Sequence, residues 1–177
     1  MNPAIYQQGL MNIDEYRRLQ DWASRYDTIV EIGSWKGVST AHLCEACKGR
    51  VYAVDTFAGS SDPRDCAFKP KEDIFSIFKE NTKDYNNLEV LKMTSLEAAK
   101  TFPPKSIDMV FIDGDHSYTS VKADLEAWAP IAKKWLCGHD LYFLEQDVKR
   151  ALEDLGIKYR SVGFNYPLCM WYSEVAQ

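Results

Sequence analysis

A chain of 177 residues, 46% apolar and 27% charged, is long enough for one domain with a sizeable core. Its net charge of −5, with no lysine- or arginine-rich block, argues against nucleic acid or an anionic membrane surface as a partner. No apolar run approaches the roughly 20 residues of a membrane helix. The opening Met1-Asn2-Pro3-Ala4 lacks the regions of an export signal, so the expectation is a single domain over residues 1–177 in the cytoplasm. Five cysteines then read as free thiols. Cys44-x-x-Cys47 lies late in a helical pattern, away from the N-terminus that would activate a thiol. No second pair completes a zinc site, so both read as small core residues.

In chain order, Asn12 with Glu15 forms a capping-box pattern, and Ile13, Tyr16, Leu19, Trp22, Ala23 and Tyr26 recur at helical spacing. A β-branched strand, Thr28 to Ile32, runs into a loop with Gly33 and Gly37, then a helix from about Val38 to Lys48, stopped by Gly49. Arg50 to Val54 is a second strand, ending at Asp55. The long polar stretch Thr56 to Lys71 and the residues before Asn12 read as lids. Helical spacing returns at Ile74, Phe75, Ile77 and Phe78, followed by a strand at Leu88 to Lys92 and a short capped helix at Ser95 to Ala99. Ile107 to Ile112 is a buried strand, leading to a helix from about Ser117 to Ala129 and a fifth strand at Trp135-Leu136-Cys137. Leu144, Val148, Ala151, Leu152 and Leu155 mark a last helix, and Ile157 to Val162 with Leu168 to Tyr172 read as an antiparallel pair across Asn165-Tyr166-Pro167. The alternation predicts an α/β fold: a Rossmann-like, doubly wound, mostly parallel seven-stranded sheet with helices on both faces and an antiparallel C-terminal strand.

Glu31, Asp55, Thr94, Asp113 and Asp140 stand at the carboxyl ends of separate predicted strands, which such a sheet brings to one edge. Gly33 and Gly37 allow a sharp turn and close approach to a ligand. Asp55, about 20 positions beyond Gly33, suits an acid that accepts from ribose hydroxyls. The phosphate-binding half of the nucleotide pattern is missing: the loop reads Gly33-x-x-x-Gly37, and no Walker loop occurs. Between Glu31 and Asp55, a cationic ribose-bearing ligand fits better than a pyrophosphate. His116 reads either as a general base or as a cap of the helix that follows it, and His42 as a surface or packing residue.

Three runs in this order resemble class I S-adenosylmethionine-dependent methyltransferases: Val30-Glu31-Ile32-Gly33-Ser34-Trp35-Lys36-Gly37, Tyr52-Ala53-Val54-Asp55-Thr56-Phe57, and Phe111-Ile112-Asp113-Gly114-Asp115-His116-Ser117-Tyr118. With Gly138-His139-Asp140 after them, they are most similar to a compact subgroup that includes macrolide-sugar O-methyltransferases. The resemblance implies that Glu31, Gly33 and Ser34 hold the methionine part of S-adenosylmethionine, with Gly37 also among the cofactor-binding residues. It places Asp55 at the ribose, Phe57 beside the adenosine, Thr94 and Ser95 at the adenine edge, and Asp113 near the methyl group, with Thr56 also among the cofactor-binding residues. In metal-dependent relatives an acid at the position of Asp113 and groups after the fifth strand bind magnesium. Here Asp113 and Asp140 would serve, but His139 is a poor magnesium ligand. The expected activity is methylation of a small hydroxylated molecule, with His116 and Asp113 as catalytic residues. A homo-oligomer is compatible with the sequence. The alternatives are a non-catalytic module that binds the same cofactor, and a nicotinamide-dependent reductase suggested by Tyr118-x-x-x-Lys122.

Overall fold

Helix α1 (Ile13–Ala23) of the computed structural model, which describes residues 8–60, 63–64, 67, 69–143, 146–162 and 170–175, begins as the capping pattern predicts. The Asn12 side chain accepts from the N–H groups of Asp14 and Glu15, and the Glu15 side chain accepts from the N–H of Asn12. These bonds satisfy donors that a first helical turn leaves without partners. The chain continues through β1 (Thr28–Ile32), α2 (Val38–Ala46), β2 (Arg50–Val54), α3 (Ile74–Thr82), β3 (Leu88–Leu91) and α4 (Ser95–Ala99). It closes with β4 (Ile107–Ile112), α5 (Tyr118–Trp128), β5 (Ala132–Gly138), α6 (Asp147–Asp154), β6 (Arg160–Val162) and β7 (Met170–Glu174). Among the described residues, no helix is long and apolar enough to cross a membrane.

The seven strands form one sheet in the order β3-β2-β1-β4-β5-β7-β6. β1 to β5 are mutually parallel, and β7 lies antiparallel between β5 and β6. This is the Rossmann-like doubly wound sheet that the alternation predicts. The two-residue period of the strands sorts the core into two layers. Val30, Ile32, Val110, Ile112 and Leu136 pack with Val121, Leu125 and Trp128 of α5 and with α6. Ile29, Met109, Phe111 and Cys137 face Tyr16, Leu19 and Trp22 of α1 and Leu43 and Cys44 of α2. Strand order reverses between β1 and β4, the place where such sheets open a crevice. The register levels its rim: Ile32 pairs with Val54 and Ile112, and Ile112 pairs with Gly138. Gly33, Asp55, Asp113 and His139 therefore leave the sheet in one row.

Several boundaries differ from the sequence reading. Helix α2 stops at Ala46 rather than Lys48, with Cys47 extended. The Asn87 amide donates to the carbonyls of Cys44 and Cys47 at 3.0 and 3.2 Å and takes over the helix end. Gly49 is not a left-handed cap; a Cβ there would lie 2.0 Å from the carbonyl oxygen of Asp27, so its place is set by close approach. Strand β5 starts at Ala132 because a bulge between the Ile107 and Met109 pairings takes in the exposed Lys133 and Lys134. Ile157 closes α6 through its N–H to Leu152 O at 3.0 Å, with Gly156 left-handed beside it, so β6 begins only at Arg160. The antiparallel pair is present, but its turn at Asn165-Tyr166-Pro167 lies outside the described residues, as do Leu144 and Leu168. Cys44 and Cys47 are buried in the α1–α2 layer, as small core residues should be. Asn87→Ala strips both carbonyls of their donor; in urea unfolding it should cost about 1–2 kcal/mol, with an unchanged m-value.

Candidate functional site

A cavity of about 740 Å³ opens at the carboxyl edge of the sheet. Its floor includes Gly33, Ser34, Asp55 and Thr56 from the β1 and β2 ends, and Asp113, His116 and Asp140 from the β4 and β5 ends. Thr94 and Ser95, at the start of α4, line another wall. Both expected lids contribute: Met11 and the residues just before it, and Gly59, Ser60 and Ala67 of the long loop. That loop is tethered by Arg64 to Asp147 at 3.2 Å. The volume is that of a small-molecule site.

Gly33 adopts φ +86, and a Cβ there would lie 2.2 Å from the carbonyl oxygen of Asp113. The glycine is needed because the β1 and β4 loops touch. Asp55 accepts from the backbone N–H of Trp35 at 2.7 Å and of Phe57 at 2.6 Å. It thereby braces two non-glycine residues held at φ 46 and 59. Such conformations are costly and persist where the surroundings fix them. Burial raises the pKa of the Asp55 carboxyl, and the bonds from Phe57 and Trp35 offset part of that.

Three expected cofactor residues are placed differently. Glu31 is wholly buried beneath the floor, on the α2 side of the sheet, and accepts from the Thr40 hydroxyl; it does not line the cavity. Its alternation in β1 puts it with Ile29, toward the helices. Gly37 also stays off the wall: it turns at φ +82, and a Cβ there would lie 2.8 Å from the Phe78 and Thr82 side chains of α3. Phe57 packs with Phe75 and Phe78, not on the cavity. Trp35 does line the cavity, whereas Tyr118 does not: its hydroxyl bonds Asp154 at 2.7 Å and its ring lies under Arg150, which leaves the reductase pattern without a site. His42 is buried and stacks on Tyr16, a packing role.

Glu31 makes a prediction on pH. Burial pushes its carboxyl from 4.5 up to about 7, against the pull of the Ser39 and Thr40 hydroxyls. The folded state therefore binds this proton more tightly than the unfolded chain. The resulting stabilisation is complete below the unfolded value and is lost as pH rises through about 7. Chemical denaturation from pH 4.5 to 8 should show a loss of roughly 3 kcal/mol that Glu31→Gln removes.

At the β4 and β5 ends two histidines and three carboxylates converge. His116 Nε2 lies 2.9 Å from Asp140 Oδ2 and 3.7 Å from Asp113 Oδ1. His139 Nδ1 lies 2.9 Å from the same Asp140 oxygen and 3.8 Å from Asp113 Oδ1, and its Nε2 is 3.1 Å from Glu15 Oε1. Burial raises the pKa of Asp113 despite the nearby His116 and His139 rings, which pull it down. Burial opposes charge on His139, but the bonds to Asp140 and Glu15 outweigh it and raise its pKa. Asp140 is likewise buried, yet His116 and His139 hold its pKa well below the usual range. One atom each from Asp113, His139 and Asp140 lie within 4.8 Å of one another, close enough to share a cation. The donors fit a divalent ion, although one nitrogen among them departs from the all-oxygen shell that magnesium prefers. Sequence reasoning missed Glu15 as a member of this cluster: its capping box was legible, its second oxygen was not. It also missed Asp124, a cavity residue whose carboxyl burial pushes up to about 6 against a bond from Ser95.

The sequence profile of a family described as a methyltransferase domain matches residues 30–141. The uncharacterized protein y4gI of Sinorhizobium fredii (strain NBRC 101917 / NGR234) is 31% identical over 113 residues, a match covering 61% of this chain and 12% of that protein. The chain thus spans a small part of the curated relative it matches. Similar solved structures include cofactor-bound Rv0187 from MTB, at 15% identity and TM-score 0.72, covering 93% of this chain and 81% of that one. The O-methyltransferase from Bacillus cereus in complex with SAH is 18% identical with TM-score 0.68, covering 94% and 82% of the two chains. Precorrin-6y C5,15-methyltransferase from Geobacter metallireducens GS-15 is 14% identical with TM-score 0.65, covering 94% and 92%. At these identities the likeness is one of fold.

Proposed function

This chain belongs to the methyltransferase-domain family, and from that premise we propose that it binds S-adenosylmethionine at the carboxyl edge and methylates the hydroxyl of a small acceptor. The observation that carries the reading is the level row of Gly33, Asp55 and Asp113 on one cavity. Gly33 and Ser34 would take the methionine end. Asp55 has further lone pairs for ribose hydroxyls beyond those its two backbone bonds occupy. Thr94 and Ser95 would face the base, with Asp124 beside them. When bound, the cofactor supplies an electrophilic methyl group on a sulfonium.

The acceptor side is the histidine–carboxylate cluster. His116 is edge-on to Phe143, 5.6 Å between ring centres, and its Nε2 faces Asp140. A carboxylate only accepts, so in the neutral ring Nε2 carries the hydrogen and Nδ1 is the proton-accepting atom. Asp140 orients the ring and stabilises the imidazolium formed when an acceptor O–H gives up its proton. Asp113, Asp140 and His139 would hold a divalent ion, which as a Lewis acid would ease that ionisation. A proton-accepting cluster of this kind favours an oxygen acceptor, whose proton must leave.

Calorimetry with S-adenosylhomocysteine tests the reading. One-site binding is expected, weakened at least about tenfold by Asp55→Ala, the loss of one charge-assisted hydrogen bond. No binding to the wild-type protein overturns it. Binding without transfer of labelled methyl to any hydroxylated acceptor supports the non-catalytic module instead.

A further inference from the structure

We propose that buried Glu15 fixes His139 as a nitrogen ligand, so that the Asp113–His139–Asp140 cluster takes a first-row transition ion in preference to magnesium. The inference rests on reading this edge as the transferase site, but adds a residue outside the span 30–141 that the family profile matches.

Glu15 is 3% exposed, and each of its oxygens has a task. Oε2 accepts from the Asn12 N–H at 2.8 Å, which holds the carboxylate in place at the start of α1. Oε1 lies 3.1 Å from His139 Nε2. Without an ion both ring nitrogens face acceptor-only groups, Nδ1 at Asp140 and Nε2 at Glu15; an ion that displaces the Nδ1 proton leaves the other hydrogen on Nε2, facing Glu15, and the Nδ1 lone pair toward Asp113 and Asp140. A carboxylate on the far nitrogen of an imidazole is the usual support of a metal-bound histidine, fixing both its tautomer and its orientation.

The near side matches. Nδ1 stands 2.9 Å from Asp140 Oδ2 and 3.8 Å from Asp113 Oδ1, separations suited to neighbouring ligands about 2.1 Å from a common ion. All three residues line the cavity, so an ion there keeps positions open to it, as catalytic sites do. Magnesium demands oxygen ligands in a near-ideal octahedron, whereas imidazole suits zinc, iron, nickel and copper. One nitrogen with two carboxylates moves the preference toward the second group. The competing arrangement is a doubly protonated His139 standing as a fixed positive charge where an ion would sit.

Metal-stripped protein distinguishes them, titrated with cobalt(II) and with magnesium in the absence of S-adenosylhomocysteine. Because cofactor is left out, the result stands whether or not the methyl-donor reading does. The wild type should bind cobalt more tightly than magnesium, with visible absorption bands that report the nitrogen ligand. Glu15→Gln should lower the cobalt-to-magnesium affinity ratio about 10- to 100-fold. Asn12→Ala weakens the same helix cap without touching His139 and should leave the ratio unchanged. His139→Asp, an all-oxygen set, should collapse the ratio and abolish the nitrogen signature, and it tests the pair independently of α1. An unchanged ratio in Glu15→Gln or His139→Asp, an equal fall in Asn12→Ala, or a wild type that binds neither ion overturns the proposal.

Discussion

Gly33→Ala should lose S-adenosylhomocysteine binding and about 2–5 kcal/mol of stability. The added Cβ would meet the Asp113 carbonyl oxygen at 2.2 Å and the Gly114 Cα at 2.5 Å, both backbone atoms. Neither strand can draw back cheaply. Asp113 donates to Ile32 O at 2.8 Å, and Gly33 itself donates to Val54 O at 2.9 Å, so separating the loops breaks the last rungs of the sheet. A left-handed conformation costs an alanine about 1–2 kcal/mol, and overpacking a rigid contact about 1–3 kcal/mol. Gly156→Ala separates the two costs. Gly156 is also left-handed, at φ +66, but has nothing within 4 Å of its would-be Cβ. It should lose about 1–2 kcal/mol by urea unfolding and bind S-adenosylhomocysteine normally. If the two variants are equally stable, contact between the β1 and β4 loops is not what requires Gly33.

That contact also shows why some of the site was legible in the sequence and some was not. Gly33, Asp55 and Asp113 follow strands whose apolar runs and register are local properties. Once the strands were recognised, the row at their carboxyl ends followed from the topology. Glu31, Gly37 and Phe57 do not line the cavity beside that row. Each is next to the row in sequence, but Glu31 falls on the helix-facing side of β1, Gly37 is held by Phe78 and Thr82, and Phe57 turns into the cluster of Phe75 and Phe78. Proximity in sequence does not say which way a side chain leaves a strand or a strained turn. Glu15 is the converse case. Its local bond to Asn12 fully explains a glutamate at that position, and only the docking of α1 beside β5 reveals a second partner in His139. The strand boundaries at Ala132 and Arg160 were obscured for similar reasons. A bulge and a helix cap are set by neighbours rather than by local apolar pattern.

His116→Ala should lower methyl transfer about 10²- to 10⁴-fold, the contribution of a positioned general base, while S-adenosylhomocysteine affinity stays within about threefold. The sequence left this residue between two roles, base and helix cap. Described geometry favours the first. The turn before α5 is already served by Asp115, which accepts from the Ser117 N–H at 2.9 Å, whereas the His116 ring points toward Asp140 and Phe143. Loss of a cap would cost about 1 kcal/mol of stability and little turnover. Loss of a base would do the reverse. Asp140→Asn supplies the second arm: it keeps the side-chain shape but removes the charge that stabilises the imidazolium, and turnover should fall with no gain in acceptor KM. Where Asp140 acts through His116 rather than through the ion it would help to hold, the double variant should be little slower than His116→Ala alone. Additive losses would mean that Asp140 serves the acceptor by a route that does not pass through His116. Full activity in His116→Ala, with a matching drop in stability, would return the histidine to the helix end.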